Sequence, residues 1–568
     1  MARRVLIVGG VAGGASAAAR LRRLDESAEI ILFDRGPYVS FANCGLPYYV
    51  GNVISDERKL LVASREMFRD RFNIDVRSEH EALRIDPAAK TIRVRDLGTG
   101  EERDEAYDAL VLSPGASPIR PDAPGIDLSG VFVVRTIPDS RRIRGWLSEK
   151  SCKEAVVVGG GFIGLEMAEN LVHRNLSVTV VEKLPQVMPP LDAEMAAPLA
   201  THLRGKGVKL RLGEGLSAIE RDGERLVVVT DAHQRIATDL VVLSIGVRPE
   251  AQLAQAAGLV IGRRGGIVVD DRMCTSDPAI YAVGDAIEVR DVVIGQESIL
   301  PLAGPANRQG RIAAEAIAGR ATHFRGVQGT AIVGILGLTA GTTGASEKGL
   351  RRAGISDYGV VYLHPGHHAA YYPGAHPIHL KLIFSRGDGR ILGAQAVGEE
   401  GVDKRLDVIA TMIQMRGSVH DLAEAELCYA PQYGSAKDPV NVAGMMAGNA
   451  LRGDMPLADW SALDSTRAYL LDVREPEEFA KGHLEGATNL PLSHLRKREA
   501  EVPRDRQVWV YCAAGQRAYF AQRLLRQRGV DALNLSGGYT TWKALHDAGQ
   551  GATDAFELGG VHGRRVGT

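Results

Sequence analysis

The chain has 568 residues, with 68 lysines and arginines against 69 aspartates and glutamates, so its formal net charge is −1. A near-neutral chain of this length has room for several domains and is not built as a general binder of nucleic acid or acidic membranes. Its hydrophobic fraction of 45% and charged fraction of 24% are those of an ordinary globular protein, which excludes a disordered or fibrous chain.

The N-terminal segment predicts a strand, a glycine-rich turn and a helix. An apolar run at residues 5–8 is followed by four glycines and then by an alanine-rich stretch at residues 15–24. A second apolar run at 30–33 ends at Asp34, 20 residues beyond the last of these glycines, where an acid can bind an adenosine ribose. The four glycines are Gly9, Gly10, Gly13 and Gly14.

Val11 departs from the dinucleotide fingerprint in this turn. Gly9 and Gly14 occupy the outer positions, but Val11 occupies the middle one, where a glycine ordinarily lets the backbone approach a pyrophosphate. Because Gly10 and Gly13 also free the backbone, the substitution weakens the fingerprint without closing the site.

The same arrangement recurs roughly 150 residues further along the chain. The run at 155–158 leads into a complete G-x-G-x-x-G turn at 159–164, a helix-like stretch at 165–174 and another strand that ends at Glu182. A carboxylate in that position would repel a 2′-phosphate. The spacing therefore favours NADH over NADPH, although Lys183 beside it leaves NADPH open.

Three further segments end strand-like runs in glycine. Residues 110–115 and 240–246 each end in glycine, and the run at 275–285 ends in Gly-Asp. Together with the two glycine turns, these segments resemble the two-dinucleotide flavoprotein disulfide reductase family over residues 1–445. The resemblance implies FAD as a cofactor, NADH as the reductant, and a role for Asp285 in binding the flavin ribitol.

Cys44 stands without a second cysteine nearby. Its segment, residues 40–49, reads S-F-A-N-C-G-L-P-Y-Y, and the next cysteine is Cys152. Chemistry here must therefore pass through one thiolate, which attacks a disulfide or persulfide sulfur and is freed by electrons from reduced flavin. The segment closely resembles the coenzyme A-disulfide reductases, and less closely the single-cysteine NADH peroxidases and oxidases.

A later motif supports the coenzyme A branch of the family. Residues 427–441, L-C-Y-A-P-Q-Y-G-S-A-K-D-P-V-N, resemble the motif in which a tyrosine of the partner subunit reaches the thiol. The resemblance gives that role to Tyr429 and implies a homodimer. The family's second tyrosine matches Tyr371, with the adjacent Tyr372 as the alternative.

The resemblance also implies contacts with coenzyme A and with both dinucleotides. Arg20 and Arg23 suit a 3′-phospho-ADP group, which needs fixed cations, while solvated arginines on a helix face are an alternative of equal weight. The implied coenzyme A contacts are Ser16, Arg20, Arg23, Ser40, Asn43, Asn307 and Tyr429. The implied FAD and NADH contacts are Gly9, Gly10, Gly13, Gly14, Asp34, Asn43, Gly115, Asp285, Ala303, Lys437, Gly159, Gly161, Phe162, Ile163, Gly164, Glu182 and Gly246.

Residues 470–491 read L-L-D-V-R-E-P-E-E-F-A-K-G-H-L-E-G-A-T-N-L-P, and residues 510–518 read V-Y-C-A-A-G-Q-R-A. These motifs resemble the rhodanese family, and the resemblance covers roughly residues 460–550. Cys512 follows a predicted strand and precedes a predicted helix. Its sulfur is therefore expected in a cup of backbone N–H groups that holds a persulfide anion, with added positive charge from Arg517. The alternative is an inactive rhodanese fold used for docking. The predicted elements are strands 469–472 and 508–511 and a helix at 518–529.

Together these segments predict an α/β chain with two Rossmann-like FAD and NAD(P)H domains, an α+β dimerisation domain and a C-terminal rhodanese domain. Helices are expected at 402–415 and 440–450 within the dimerisation domain. The expected boundaries are 1–150 and 271–325 for the FAD-binding domain, 151–270 for the NAD(P)H-binding domain, 326–445 for the dimerisation domain, 446–465 for a linker, 466–550 for the rhodanese domain and 551–568 for a disordered tail.

Membrane and metal signals are absent from the sequence. The uncharged 21-residue segment 326–346 is rich in glycine and threonine and is not expected to span a membrane. The five cysteines are widely spaced and form no C-x-x-C pair, so we expect neither a disulfide framework nor a zinc site, and a reducing, cytoplasmic location. Cys152, Cys274 and Cys428 match no motif and are expected to be inert packing thiols.

The two sulfur-handling segments lead to one functional hypothesis. Cys512 accepts sulfane sulfur and passes it to coenzyme A or a similar thiol, and Cys44 reduces the resulting persulfide, polysulfides and coenzyme A disulfide with electrons from NADH through FAD. One alternative is an NADH oxidase or peroxidase that cycles Cys44 through a sulfenic acid. The other is a sulfur-carrying or redox-sensing adaptor. No metal, nucleic-acid or membrane partner is expected.

Overall fold

The computed structural model describes residues 2–463 and 467–547. The chain divides into two compact units, which we call the first unit (1–181 and 214–327) and the second unit (182–213 and 328 onward). The tail predicted at 551–568 lies outside the described residues.

The described chain contains both helices and strands, and the two predicted strand-turn-helix-strand repeats are β1–α1–β2 and β10–α5–β11. The α-helices are α1 (Ala12–Arg22), α2 (Leu46–Val50), α3 (Arg65–Phe72), α4 (Ile137–Glu149), α5 (Phe162–His173), α6 (Ala193–Gly205), α7 (Gln252–Ala256), α8 (Ala303–Ile317), α9 (Glu347–Arg352), α10 (Val402–Gln414), α11 (Val419–Glu424), α12 (Pro439–Leu451), α13 (Pro476–Ala480), α14 (Leu492–Arg498), α15 (Gln516–Gln527) and α16 (Gly538–Asp547). The β-strands are β1 (Arg4–Val8), β2 (Glu29–Asp34), β3 (Asp75–Ser78), β4 (His80–Asp86), β5 (Thr91–Asp96), β6 (Glu102–Ala106), β7 (Ala109–Leu112), β8 (Ala116–Pro118), β9 (Val131–Phe132), β10 (Glu154–Val158), β11 (Ser177–Glu182), β12 (Lys209–Leu212), β13 (Leu216–Asp222), β14 (Arg225–Thr230), β15 (Arg235–Thr238), β16 (Leu240–Leu243), β17 (Val247–Pro249), β18 (Ile267–Val268), β19 (Ile280–Ala282), β20 (Ile287–Arg290), β21 (Glu297–Ser298), β22 (Ala331–Ile335), β23 (Leu338–Gly344), β24 (Tyr358–Leu363), β25 (Ile378–Ser385), β26 (Ile391–Gly398), β27 (Tyr469–Asp472), β28 (Thr488–Asn489), β29 (Val508–Tyr511) and β30 (Ala532–Asn534).

The first unit contains both predicted glycine-turn repeats. Strands β3, β2, β1, β7 and β19 lie side by side in that order as a parallel sheet. Strands β11, β10, β16 and β9 form a second parallel arrangement. Strands β1, β2, β7, β10 and β16 carry continuous runs of buried apolar residues, as expected for parallel strands that are covered on both faces. The predicted Rossmann-like pair is therefore present in this unit.

The second unit contains an antiparallel sheet in the order β22-β23-β26-β25-β24. Most of the glycine- and threonine-rich segment 326–346 lies in β22 and β23. This agrees with the prediction, made from its composition, that the segment is not a membrane-spanning helix. Within the described residues, we find no helix that is both long enough and apolar enough to cross a lipid bilayer. The helices predicted near 402–415 and 440–450 are α10 and α12.

The segment expected to be a linker is partly ordered structure. Helix α12 continues to Leu451, well inside the range 446–465. Further on, the Trp460 ring is buried, and its Nε1–H donates to the Ser536 carbonyl at 2.9 Å. Glycine and polar residues suggested a loose connection, but the apolar side chains of this stretch are packed, since Met455 is also buried.

The C-terminal strands β28, β27, β29 and β30 form a parallel sheet, with α15 directly after β29. The predicted strands 469–472 and 508–511 match β27 and β29. The predicted helix begins two residues earlier than expected, at Gln516, because Gly515 takes a left-handed conformation (φ 99°) that ends the preceding loop.

The C-terminal part docks on the edge strand β24 of the antiparallel sheet. The Ser536 hydroxyl accepts from the Tyr362 N–H at 2.8 Å and donates to the Tyr362 carbonyl at 3.2 Å, and both residues are buried. Beside them, the Nε2 atom of His364 lies 2.9 Å from the Thr541 hydroxyl. Burial lowers the pKa of His364 to about 3, so its ring is neutral at physiological pH. These contacts hold β24 to the loop that precedes α16.

Lys381 is a fully buried cation in the second unit. Its ammonium group lies 2.8 Å from Asp192 and 2.6 Å from Glu347, and it also contacts Glu194. The Tyr362 hydroxyl donates to Glu194 at 2.9 Å. Burial alone would favour a neutral lysine, but the three carboxylates raise the pKa of Lys381 well above its usual value. The lysine therefore occupies the position that a metal ion would take among these acids.

Candidate active site

The first glycine turn connects β1 to α1 at very close range. Gly9 has a left-handed φ of 92°, and a Cβ atom on it would lie 2.1 Å from the Ser113 carbonyl oxygen. A Cβ atom on Gly14 would lie 1.9 Å from the Gly9 carbonyl oxygen. Both outer glycines are therefore required by packing, as the fingerprint predicts.

Val11 fits this turn because it precedes the first turn of α1 as the N-cap residue, with φ of −96°. The equivalent residue of the second turn is Gly161, the N-cap of α5, and a Cβ atom there would meet no atom within 4 Å. The middle position is thus sterically open in the second turn. Valine at this position is compatible with the turn, and the predicted FAD position keeps its geometry.

Asp34 ends β2 beside this turn. Its carboxylate accepts hydrogen bonds from the Gly10 and Gly36 N–H groups, each at 2.8 Å. Burial raises the pKa of Asp34 despite these two donors. A partly buried acid next to the glycine turn is the arrangement that binds an adenosine ribose.

Asp285 lies in a single 3-10 turn, Gly284–Ala286, at the end of β19. The Gly284 N–H donates to the Gln309 side chain at 2.8 Å, which ties this turn to α8. Burial raises the pKa of Asp285. Ala303 is the first residue of α8, and Gly115 has a left-handed φ of 77° after β7. These residues line the carboxyl ends of parallel strands, where dinucleotides bind.

The second glycine turn repeats the geometry of the first. A Cβ atom on Gly159 would lie 2.4 Å from the Ser244 carbonyl oxygen, and one on Gly164 would lie 1.9 Å from the Gly159 carbonyl oxygen. Phe162 and Ile163 open α5, and Gly246 has a left-handed φ of 111°. Glu182 is the last residue of β11, and its buried carboxylate accepts from the Leu184 N–H at 2.8 Å.

Cys44 is exposed in a 3-10 turn, Asn43–Gly45, immediately before α2. Ser40 anchors this segment, because its N–H donates to the Gly10 carbonyl of the first glycine turn at 2.7 Å. Ser40 takes a left-handed φ of 46°, and Asn43 is exposed beside the cysteine. The fold thus ties the single thiol to the turn predicted to bind FAD.

Glu166 was not identified from the sequence. It lies on α5 two residues after Gly164, and its carboxylate accepts from the Tyr48 hydroxyl at 3.4 Å. Burial raises the pKa of Glu166 to about 7, and burial together with Glu166 raises the pKa of Tyr48 to about 12. Burial, Glu166 and Asp285 all raise the pKa of Cys44. A carboxyl group on the apolar helix after a glycine fingerprint is the signal that could have revealed it.

Two predicted coenzyme A residues meet directly. The Ser16 hydroxyl on α1 donates to the Asn307 side-chain oxygen on α8 at 2.5 Å. Arg20, one turn further along α1, is engaged by Glu315, with nitrogen-to-oxygen distances of 2.5 and 3.1 Å. Arg23 is exposed at the C-terminal end of α1. Arg20 is therefore a paired arginine in this structure, while Arg23 presents its side chain to solvent.

Tyr371 and Tyr429 form a pair in the second unit. Both side chains are exposed, and their hydroxyl oxygens lie 2.6 Å apart. The two segments are joined by a hydrogen bond from the Ala369 N–H to the Gly434 carbonyl at 2.9 Å. Lys437, which follows on the Tyr429 segment, is also exposed. Among the described residues, the hydroxyl group that meets Tyr429 is that of Tyr371 and not that of the adjacent Tyr372.

The remaining cysteines differ in their surroundings. Cys152 and Cys274 are half-buried, and burial raises the pKa of each. Cys428 is exposed, so the prediction that it is a packing thiol is wrong. It precedes Tyr429 on a segment without helix or strand, which leaves its side chain outside the core.

Cys512 lies at the N-terminal end of α15, as expected. Its Sγ atom accepts from the Gly515 N–H at 3.1 Å, and the residue is buried. Arg517 lies in the first turn of α15 and donates two hydrogen bonds to Glu478, at 2.6 and 2.7 Å. One backbone N–H of the predicted cup is thus seen at the sulfur, and Arg517, which is also in hydrogen-bonding contact with Cys512, is paired with an acid.

Comparisons with known proteins agree with this architecture. Residues 3–310 match the pyridine nucleotide-disulphide oxidoreductase family, 330–438 match its dimerisation domain, and 458–545 match the rhodanese-like domain. The chain is 35% identical to the coenzyme A disulfide reductase of Staphylococcus epidermidis over 445 residues, which are 78% of this chain and 99% of the relative.

Two solved structures are similar over almost the whole chain. Reduced CoADR-RHD of Bacillus anthracis has a TM-score of 0.94 and 47% identity, covering 96% of this chain and 98% of the other. An NAD-dependent persulfide reductase from A. fulgidus has a TM-score of 0.89 and 38% identity, covering 95% of this chain and all of the other.

Proposed function

The chain belongs to the pyridine nucleotide-disulphide oxidoreductase family and carries a rhodanese-like domain, and from this membership we propose that it uses NADH to reduce persulfides, polysulfides and coenzyme A disulfide at Cys44. Relatives with these activities in their names support the substrate class. The observation that carries the proposal is the position of Cys44: an exposed thiol with no second cysteine in its segment, which is hydrogen-bonded to the first glycine turn through the backbone of Ser40.

The residues around the first glycine turn fit a bound FAD. Gly9 and Gly14 leave no room for side chains and so permit the tight turn and the close packing of α1 that a pyrophosphate-binding turn needs, and Asp34 lies beside the turn for a ribose. Asp285, Gly115 and Ala303 would complete the binding residues, with Gly10, Gly13, Asn43 and Lys437 as further proposed contacts. Bound FAD supplies the two-electron chemistry between NADH and sulfur.

NADH is proposed to bind at the second glycine turn. Gly159, Gly161 and Gly164 would approach its pyrophosphate, with Phe162 and Ile163 at the start of α5 and Gly246 opposite. Glu182 would bind the adenosine ribose and disfavour the 2′-phosphate of NADPH. This interpretation is supported by the place of Glu182 at the end of β11.

The chemistry at Cys44 begins with its thiolate. The thiolate attacks a substrate sulfur, so that a bond from Cys44 to sulfur forms while the substrate S–S bond breaks and its electron pair leaves with the departing thiolate. Two electrons then release the sulfur held by Cys44 and restore the thiolate. In sum, a persulfide, NADH and a proton give a thiol, hydrogen sulfide and NAD⁺, and coenzyme A disulfide gives two thiols.

Coenzyme A is proposed to bind along α1. Ser16 and Asn307 form one hydrogen-bonded pair, and Arg23 is the exposed cation of this helix. To contact a phosphate, Arg20 would have to break its ion pair with Glu315 or bind both anions at once. Ser40 and Asn43 would complete the contacts near the thiol.

The tyrosine pair and the dimer belong to the same proposal. The chain has a dimerisation domain, and exposure of Tyr371 and Tyr429 is consistent with their use at a partner subunit's thiol in a homodimer. There the paired hydroxyl groups would donate a proton to the departing thiolate. In the C-terminal domain, Cys512 would carry sulfane sulfur to coenzyme A or a similar thiol.

The test compares electron acceptors in one preparation. We expect NADH consumption with coenzyme A disulfide and coenzyme A persulfide to exceed consumption with O₂ or hydrogen peroxide. The Cys44→Ser variant should lose reduction of both sulfur substrates while its flavin absorbance remains, and Cys274→Ser should behave like wild type. Retained reduction in Cys44→Ser, or a preference for O₂ or peroxide, would overturn the proposal.

A further inference from the structure

The sulfur cup of the C-terminal domain has few means of holding a small anion. Between Cys512 and Arg517 the loop carries no charged side chain, and the Sγ atom accepts from the N–H of Gly515 and is also in hydrogen-bonding contact with Arg517. Backbone donors of this kind hold one sulfur atom, and a cation beside them strengthens the binding of an oxyanion with several oxygens. The charge of the nearby arginines therefore decides which donors the cup can accept.

Arg517 is committed to Glu478. Two of its N–H groups donate to the two carboxylate oxygens at 2.6 and 2.7 Å, which uses the planar fork that would otherwise grip an oxyanion. The hydrogen bonds from Arg517 lower the pKa of Glu478 to about 2. The pair therefore stays ionised throughout the physiological pH range, and its net charge is zero.

The neighbouring arginine is also neutralised. Arg474 donates to both carboxylate oxygens of Asp472, at 2.6 to 3.0 Å, and to the Gly482 carbonyl at 2.7 Å. Its guanidinium lies 4.2 Å from the centre of the Tyr539 ring, and the Tyr539 N–H donates to the Cys512 carbonyl. Arg474 is thus paired with an acid in the described structure, as Arg517 is.

The two usual kinds of sulfur donor differ in what leaves. When the Cys512 thiolate takes the outer sulfur of thiosulfate, a Cys512–sulfur bond forms, the S–S bond breaks, and its electron pair departs with sulfite, a dianion. When it takes the outer sulfur of an organic persulfide, the electron pair departs with a thiolate that carries one charge and binds a proton readily. Transfer from thiosulfate therefore depends more on an unpaired cation than transfer from a persulfide does, because the departing sulfite carries two negative charges.

We propose that Glu478 is a specificity-determining residue, which closes the Arg517 fork and so directs the C-terminal domain away from thiosulfate and towards organic persulfides. The inference rests on the proposed function, in which Cys512 carries sulfane sulfur. Glu478 acts through Arg517 and is therefore a positioning residue. The preference for persulfides over thiosulfate should weaken when Glu478 no longer pairs with Arg517. This gain in thiosulfate use should require the Arg517 side chain.

The experiment measures formation of the Cys512 persulfide in the FAD-loaded, full-length protein without NADH. Thiosulfate and cysteine persulfide serve as the two donors, and peptide mass spectrometry reads the Cys512 peptide. We expect Glu478→Gln to raise the rate with thiosulfate by about tenfold or more, the factor that corresponds to one freed charge-assisted hydrogen bond. The rate with cysteine persulfide should stay close to that of wild type.

Three controls make the outcome unambiguous. Glu477→Gln removes the same charge from an exposed neighbour on α13 and should change neither rate. Adding Arg517→Met to Glu478→Gln should cancel the gain, which a merely structural role of Glu478 would not predict. Cys512→Ser should abolish labelling of this peptide with either donor.

The outcomes separate this inference from the proposed function. An unchanged ratio of thiosulfate to cysteine persulfide rates in Glu478→Gln, with Cys512 labelled normally, overturns the role of Glu478 alone. Failure of wild type to form a Cys512 persulfide with any donor overturns the proposed sulfur transfer and this inference with it. If Glu478→Gln lowers the rates with both donors, the Glu478–Arg517 pair has a structural role and the inference is wrong.

Discussion

Tyr371 and Tyr429 hold their hydroxyl oxygens 2.6 Å apart, although 58 residues separate them along the chain. The hydrogen bond with Tyr429 is the main reason that the pKa of Tyr371 is raised above its usual value. The Tyr371 hydroxyl group therefore holds its proton more tightly than a free tyrosine does. A pair of this kind can hold a proton ready for a departing thiolate, which neither tyrosine alone does as well.

The first prediction concerns this pair. Tyr429→Phe should lower the pKa of Tyr371 towards its ordinary value, because the hydrogen bond that raises it is gone, and should slow reduction of coenzyme A disulfide by roughly 100-fold. Ultraviolet titration of tyrosinate and steady-state kinetics measure the two effects. Tyr372→Phe is the control. If that variant showed the larger loss, Tyr372 would be the family's second tyrosine.

The second prediction concerns Glu166 and the reactivity of Cys44. Because the Glu166 carboxylate contributes to the raised pKa of Cys44, Glu166→Gln should shift the alkylation profile of Cys44 with iodoacetamide to lower pH. The measurement uses FAD-loaded protein in which Cys44 has been reduced to the free thiol and from which small thiols have then been removed. Glu149→Gln, at an exposed position on α4, should leave the profile unchanged. An unshifted profile in Glu166→Gln would show that the Glu166 charge does not influence the pKa of Cys44.

The same carboxyl group makes stability depend on pH in a defined direction. Folding raises the pKa of Glu166 from 4.5 to about 7, so the folded chain holds this proton more tightly than the unfolded chain. Stability should therefore fall as pH rises between these values, by up to about 3 kcal/mol at higher pH. Glu166→Gln should gain in Tm over wild type at about pH 8.5 but not at about pH 4.5. Equal differences at both pH values would contradict the burial of an ionisable Glu166.

The third prediction concerns the buried lysine of the second unit. Lys381→Met would leave Asp192, Glu194 and Glu347 without their shared cation, and should destabilise the chain by about 3–5 kcal/mol. Thermal unfolding at neutral pH measures the loss. Lys206→Met, at an exposed position just after α6, is the matched control and should have little effect. A Tm near that of wild type for Lys381→Met would show that the acids tolerate one another without the lysine.

The fourth prediction concerns the choice of nucleotide. Glu182→Ala should narrow the ratio of kcat/KM for NADH to that for NADPH, because the charge that repels a 2′-phosphate is removed. Kinetics with both nucleotides and a fixed sulfur acceptor give the ratio. Glu224→Ala removes an exposed carboxylate from the turn between β13 and β14 and should not alter it. An unchanged ratio in Glu182→Ala would count against the ribose assignment.

Local features of this chain were predictable from sequence because they depend on neighbouring residues. The turns after β1 and β10 require glycines where a Cβ atom would come within 2.4 Å of backbone oxygens, and those glycines are recognisable in the sequence. Strands of continuous apolar residues and the cysteine before α15 are equally local. Val11 takes the N-cap position of α1 with a negative φ, which a valine can adopt.

Features that depend on long-range contacts were not predictable in this way. Glu166 acquires its raised pKa only when α5 packs against the segment of Tyr48, and the Arg20–Glu315 pair joins residues 295 positions apart. The burial of Trp460 depends on Ser536, which lies 76 residues further along the chain. A single sequence shows which residues could ionise, but not which acid each of them meets.

The docking of Ser536 on Tyr362 has a consequence for how the rhodanese fusion is tolerated. Strand β24 is the last strand of its sheet, and an uncovered sheet edge invites pairing with other molecules. In the C-terminal domain, the Ser536 hydroxyl forms hydrogen bonds with the N–H and the carbonyl of Tyr362, which a neighbouring strand would otherwise bind. The appended domain thus covers part of an otherwise open sheet edge, and a chain truncated before this domain would expose the backbone of β24 at Tyr362.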